Sequence, residues 1–217
     1  MTPVLQRWRT GRWIALGLFV ITALAVVSAY LTAPRPGGRM DPESTTSDGA
    51  HALVTLLREH GVDVVVADTV ADAERAARPD SLLLATEMYN TRGEDLLRRI
   101  AALPGDRLLL EPTARTREML APGIRIGDGG TLAAEPDCHL PEANRAGAVQ
   151  LGPSDAYDKV GQTTLTRCYD GALVRYRADG RTITVVGSAD FMTNGALLKQ
   201  GYAALAMNLA GSRSRLI

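Results

Sequence analysis

The strongest pattern along the chain is an uncharged apolar run from Trp13 to Leu31, nineteen residues long. As a helix it would extend roughly 28 Å, close to the hydrocarbon thickness of a bilayer. In lipid the backbone must satisfy its own hydrogen bonds, which forces such a segment into a helix. Trp13 and Tyr30 stand where interfacial aromatic anchors belong. Residues 32–47 follow with Pro34, Pro36, Pro42, Gly37 and Gly38, a composition that disfavours regular structure and predicts a linker.

Beyond the linker the pattern turns to short alternating segments. Ser47 or Asp48 is placed to cap a helix over Gly49–His60, with Leu53, Leu56, Leu57 and His60 on one face and Gly61 as its stop. Val62–Ala67 is a short β-branched run and predicts a buried strand. Asp68 or Thr69 caps a second helix, Val70–Ala77. Ser81–Ala85 and Arg107–Leu110 predict further buried strands, with a helix over Thr91–Leu103 between them. Thr113 caps a fourth helix, which ends near Leu120. Apolar strands alternating with helices predict βαβ units and a parallel sheet covered on both faces. The right-handed crossover rule makes this a doubly wound α/β domain.

From Gly123 to Gly161 the periodicity fades, and glycines and prolines predict an irregular excursion. Strands return at Leu165–Tyr169, Ala172–Arg177 and Thr182–Val186. The last two are joined by Ala178-Asp179-Gly180, an antiparallel hairpin signal. A closing helix is expected over Ala196–Leu209, with Leu198, Tyr202, Leu205 and Leu209 inward. The organisation predicted is a basic tail (1–12), a transmembrane helix (13–31), a linker (32–47), an α/β domain (48–211) and a polar tail (212–217).

Charge gives this arrangement a direction. Arg7, Arg9 and Arg12 precede the apolar run, and no acidic residue occurs before Asp41. The positive-inside rule then puts the N-terminus in the cytoplasm and the domain outside the cell membrane. Arg35 and Arg39 weaken that asymmetry; Asp41 and Glu43 partly offset them. A cleaved signal peptide is the competing reading, with Val27-Ser28-Ala29 as its cleavage site, but the run exceeds the roughly 7–15 residues of such segments and favours an uncleaved single-pass anchor. Formal net charge is zero, so no basic surplus points to nucleic acid. Both cysteines, Cys138 and Cys168, lie beyond the anchor, where an oxidising compartment favours a disulfide. The alternatives are two separate buried thiols, or a reactive Cys138 with His139 as base. Neighbours on an extended chain point to opposite faces, which makes that pair a poor dyad.

Open α/β sheets bind ligands outside the carboxyl ends of their strands. The residues expected there include Asp68, Thr86 and Thr113, and a candidate ligand edge of Glu87, Asn90, Glu111, Ser188, Asp190 and Asn194. Converging carboxylates could hold a cation or a basic ligand group. Helix capping accounts for most of these residue types without any site. Glu87, Glu111 and Asp190 are the ones it explains least. No Gly-x-Ser-x-Gly elbow and no phosphate-binding glycine loop follows a strand. His51 and His60 complete no metal-ligand set. No catalytic residue, metal or cofactor is assigned.

Two segments carry a resemblance. Asp41-Pro42-Glu43-Ser44 with Gly49-Ala50, Leu53, Leu56, Leu57 and His60-Gly61-Val62-Asp63-Val64 resembles the start of an uncharacterised actinobacterial membrane-protein family. Gly187-Ser188-Ala189-Asp190-Phe191-Met192-Thr193-Asn194, leading to Asn208, resembles that family's closing motif. The resemblance implies an extracytoplasmic domain similar to class I glutamine amidotransferase-like folds and to the gliding-type ABC auxiliary domain. It also implies protein partners in a membrane complex linked to MoxR-type AAA+ ATPases. An amidotransferase needs a nucleophilic cysteine in a tight turn after a strand. The turn after the second predicted strand is Thr86-Glu87-Met88-Tyr89, so the fold is implied without the glutaminase. The family usually continues to a second membrane helix. The function expected is a non-catalytic, membrane-anchored binding domain. The alternatives are a cell-envelope hydrolase using Ser188, Asp190 and Glu87 or Glu111, and a structural spacer.

Overall fold

The computed structural model describes residues 38–86, 93–129 and 135–217, together with residues 16, 17 and 19–23. Two compact units emerge, Met1–Pro36 and Gly37–Ile217. In the first, residues 16, 17 and 19–23 are helical, and Leu16, Phe19, Val20 and Ile21 are exposed. Among the described residues no helix is long and apolar enough to cross a membrane. Most of the predicted span 13–31 lies outside them.

The second unit is built on a seven-stranded sheet. Its strands are β1 (Asp63–Val64), β2 (Ser81–Thr86), β3 (Asp106–Leu110), β6 (Thr166–Cys168), β7 (Leu173–Ala178), β8 (Arg181–Val186) and β9 (Arg215–Leu216). Their spatial order is β1-β9-β2-β3-β8-β7-β6. The five strands from β1 to β8 in that order run parallel, and β7 and β6 add antiparallel pairs. β4 (Ile124–Ile126) and β5 (Tyr157–Lys159) form a separate antiparallel pair. The expected mixed α/β domain, mostly parallel with an antiparallel hairpin, is what the chain forms.

Alternation along each strand divides the core in two. Leu82, Leu108, Leu110, Leu173, Val186 and Leu216 face one side, packed with α1 (His51–Glu59) and α6 (Tyr202–Ala210). Leu83, Leu109, Val174, Ile183, Val185 and Ile217 face the other, packed with α2 (Val70–Ala76), α3 (Glu94–Ala101) and α4 (Ala114–Leu120). α5 (Pro141–Ala146) joins the first side through Ala143. Buried Arg107 on β3 ties the second layer together. It donates to Leu120 O at the end of α4 and to Ala101 O at the end of α3. A cation at two helix carboxyl ends meets the negative ends of both dipoles. Burial lowers this guanidinium to about 10, and neighbouring Arg181 pushes the same way.

Several local expectations hold. Thr69 caps α2 with Asp72 reciprocating, and Thr113 caps α4 through Thr116 N–H. Asp179 and Gly180 make the two-residue hairpin turn, both at positive φ (51° and 75°), as its type requires. Cys138 and Cys168 are disulfide-bonded across 30 residues, with Cα atoms 5.2 Å apart. The bridge holds part of the 123–161 excursion, which is less irregular than expected because it contains β4, α5 and β5.

Other expectations fail for identifiable reasons. The first strand is only Asp63–Val64, because it forms the sheet edge; Val66 is 38% exposed. The closing helix begins at Tyr202, not Ala196; residues 196–201 form turns, and Leu198 is 97% exposed. Gly201 at φ 79° marks the break. The expected tail, polar with an apolar end, contains β9, which inserts between β1 and β2, and its apolar end, Leu216 and Ile217, is buried. Neither Ser47 nor Asp48 caps α1. Its N-cap is Ala50, and the capping oxygen comes from Asn194.

A carboxylate edge clasped by an arginine

β3 and β8 are adjacent and parallel, so the residues following them emerge side by side. Glu111 follows Leu110 directly, and its N–H donates to Val186 O at 2.9 Å. It adopts φ 47°, a left-handed conformation disfavoured for a side chain of this size. Strand-to-helix turns of this kind present a nucleophile in hydrolases. Here the turn carries a carboxylate. Across from it, Gly187-Ser188-Ala189 leads to a short 3-10 turn, Asp190–Met192.

The two carboxylates do converge, and Arg39 closes the gap between them. Its guanidinium pairs with both Glu111 oxygens, the Nη2–Oε1 bond being 2.9 Å, and also donates to Asp190 Oδ1. Glu111 Oε1 additionally accepts from Ala189 N–H at 2.8 Å. The forked donor geometry of arginine suits such bidentate holding, and the charge strengthens each bond. The side chains of Arg39 and Glu111 are 28% and 23% exposed, whereas Asp190 is 51% exposed and faces solvent on one side. Tyr157 is fully buried, and its hydroxyl has no hydrogen-bond partner among the described residues. Burial pushes its phenol well above the ordinary value, and the charges of Asp155 and Glu111 add to the rise.

Ser188 is fully buried. Its Oγ accepts from Asp190 N–H at 3.3 Å, and no bond joins it to a carboxylate or an imidazole among the described residues. Asn194 is placed elsewhere. Its Nδ2 donates to Ser44 O (2.8 Å) and Thr46 O (2.6 Å), and its Oδ1 accepts from Ala52 N–H (2.8 Å). It therefore fastens residues 44–52 to the end of β8 and holds no outward-facing polar group for a ligand. Thr113 and Thr69 cap helices, with Asp68 beside the latter. Glu87 and Asn90 lie outside the described residues.

Sequence reasoning found Glu111 and Asp190 and missed Arg39, which stands 72 and 151 residues from its partners. A signal existed in the neighbouring Met40, an apolar residue in a polar linker. It is 6% exposed and so marks where the chain docks. The same docking explains why Asp41–Ala50 and Gly187–Asn194 both stand out as motifs. Asn194 N–H donates to Gly49 O, and Gly195 N–H donates to Ser47 O, each at 2.8 Å.

A mostly parallel α/β domain whose entering segment is clasped over the carboxyl ends of β3 and β8 defines the class. The chain belongs to the family described as a domain of unknown function, DUF4350, which matches residues 42–210. Over 212 residues it is 58% identical to an uncharacterized membrane protein of Mycobacterium tuberculosis. That similarity covers 98% of this chain and 56% of the relative, so the chain spans about half the relative's length. No solved structure matches the chain.

Proposed function

We propose that the domain is a non-catalytic binding module, held outside the cell membrane by a single-pass N-terminal anchor at 13–31, that engages a protein partner through the carboxyl edge of its sheet. The carrying observation is the clasp. Glu111 and Asp190, two carboxylates a hydrolase would need, are committed to Arg39. Ser188 is sealed in the interior, which counts against the hydrolase reading. The exposed half of Asp190 leaves acidic surface at the edge, complementary to a basic segment of a partner.

Membrane attachment is supported by the relative, itself a membrane protein, and by the uncharged run Trp13–Leu31. An extracytoplasmic setting is supported by the disulfide, since such bonds persist in oxidising compartments. The actinobacterial character, the amidotransferase-like likeness and a place in a complex linked to a MoxR-type ATPase rest on the resemblance alone. The test is charge reversal. Asp190→Lys and Glu87→Lys together should abolish capture of the partner from membranes while the domain still melts cooperatively. Unchanged capture contradicts the reading.

A further inference from the structure

The clasp at the sheet edge has two halves, and each is held in place without the other. On the receiving side, Glu111 N–H donates to Val186 O at 2.9 Å, and Glu111 Oε1 accepts from Ala189 N–H at 2.8 Å. Asp190 N–H donates to Ser188 Oγ at 3.3 Å, and Asp190 O accepts from Thr193 N–H (3.0 Å) and from the Thr193 hydroxyl (2.8 Å). On the donating side, Met40 N–H donates to Asp48 O at 2.8 Å and Ala50 N–H to Asp41 O at 2.9 Å, with the Met40 side chain buried. Turning the Arg39 side chain outward breaks none of these bonds.

The receiving half is matched to one chemical group. Oε1 and Oε2 of Glu111 and Oδ1 of Asp190 all accept from the two terminal nitrogens of a single guanidinium. A planar fork spans such a set, whereas an ammonium acts as a point charge. The set is also underfilled. Two carboxylates meet one cation, and Asp190 Oδ2 makes no hydrogen bond among the described residues. The Asp190 side chain is 51% exposed, and the residue against Oδ2 is Gly152, which has no side chain to cover it. The Arg175–Glu142 pair is built differently: it is shut away at 19% and 13% exposure, as a purely structural pair would be.

We propose that Arg39 is the resident occupant of a guanidinium receptor, an autoinhibitory contact that an arginine side chain of the partner displaces. The incoming guanidinium pairs first with Asp190 Oδ2, then takes Oδ1 and both Glu111 oxygens as Arg39 turns out. Arg39 belongs to the same chain, so it competes at a high local concentration. The edge therefore answers to an arginine presented together with other contacts and ignores isolated ones. The displaceable latch presupposes the binding role proposed for this edge and adds its ligand chemistry and its control.

The test titrates acetyl-Gly-Arg-Gly-amide into the full chain in detergent micelles, following the amide resonances of Ala189 and Asp190. Wild type, Arg39→Ala, Arg39→Lys and the double variant Arg39→Ala/Glu111→Gln are compared, with acetyl-Gly-Lys-Gly-amide as the second probe. The expected result is binding at least about tenfold tighter to Arg39→Ala than to wild type, the factor for a receptor open a tenth of the time or less. Arg39→Lys falls between, because it keeps the charge and loses the fork. The lysine probe binds more weakly, and Glu111→Gln removes the gain. Equal affinity of wild type and Arg39→Ala overturns the proposal, as does equal affinity for the two probes. Loss of cooperative unfolding in both Arg39→Ala and Arg39→Lys also overturns it, since Arg39 is then part of the fold. A failed titration with capture from membranes still lost in Asp190→Lys defeats the latch and leaves the binding role standing. A successful titration with capture indifferent to Asp190→Lys defeats the binding role instead.

Discussion

Asn194 Oδ1 accepts the Ala52 N–H at 2.8 Å, so α1 is capped by a residue 142 positions further along the chain. Its amide nitrogen holds Ser44 O and Thr46 O at the same time. Asn194→Ala removes three bonds and leaves the groups they served without these partners. At about 1 kcal/mol net per bond, the loss should be roughly 2–4 kcal/mol of unfolding free energy, read by urea denaturation. Asn194→Asp keeps the capping acceptor but sets a carboxylate oxygen against Ser44 O and Thr46 O, two acceptors, and should be no more stable than Asn194→Ala.

Gly187 is required by close approach. A Cβ there would stand 1.9 Å from Asp155 O, a backbone atom that cannot swing aside. Gly187→Ala should destabilise the domain by about 1–3 kcal/mol and disturb the β8 end that leads to Ser188 and Asp190. Differential scanning calorimetry measures the shift. An unchanged melting temperature would mean that this approach is relaxed in solution.

The Cys138–Cys168 bridge closes 30 residues. The chain-entropy treatment gives about 3–4 kcal/mol for a loop of that size. Replacing both cysteines by serine should therefore cost a large part of the domain's stability, with the urea midpoint falling accordingly. Reduction of the wild-type protein should produce the same fall.

Glu142 and Arg175 are joined at 2.8 Å and largely screened from solvent. Burial raises the Glu142 carboxyl, but the Arg175 hydrogen bond and charge, together with its own backbone amide, outweigh it and hold the group below the ordinary carboxylate value. A carboxyl depressed in the folded state stabilises the fold above its unfolded value, and that contribution disappears as pH falls through the folded value. Stability from this pair should thus be constant from neutral pH down to the ordinary glutamate value of about 4.3 and decline only below it. Glu142→Gln should be less stable at neutral pH and show a shallower decline, measured by urea midpoints across the range.

Much of the fold was legible because local signals agreed with their tertiary roles. Leu82–Leu84 and Leu108–Leu110 are uninterrupted apolar runs and became central parallel strands. Asp179-Gly180 made the hairpin turn its backbone preferences demand. β9 was not legible, because Arg215–Leu216 is two residues long and acquires strand geometry only from β1 and β2 on either side. The helix start at Tyr202 was misread because Leu198 continues the apolar period by coincidence and points into solvent. At the edge, the rule for strand carboxyl ends located Glu111 and Asp190. It carries no information about Arg39, whose pairing depends on how the linker docks.

The most direct measurement is capture from native membranes, quantified by mass spectrometry, using the wild-type chain, Asp190→Lys and Glu111→Gln. Glu111→Gln keeps an acceptor for Ala189 N–H but weakens the hold on Arg39. The expected result is one reproducible set of proteins with the wild type, lost with Asp190→Lys and reduced with Glu111→Gln, while all three chains unfold cooperatively. An identical set from all three would contradict a binding role for this edge.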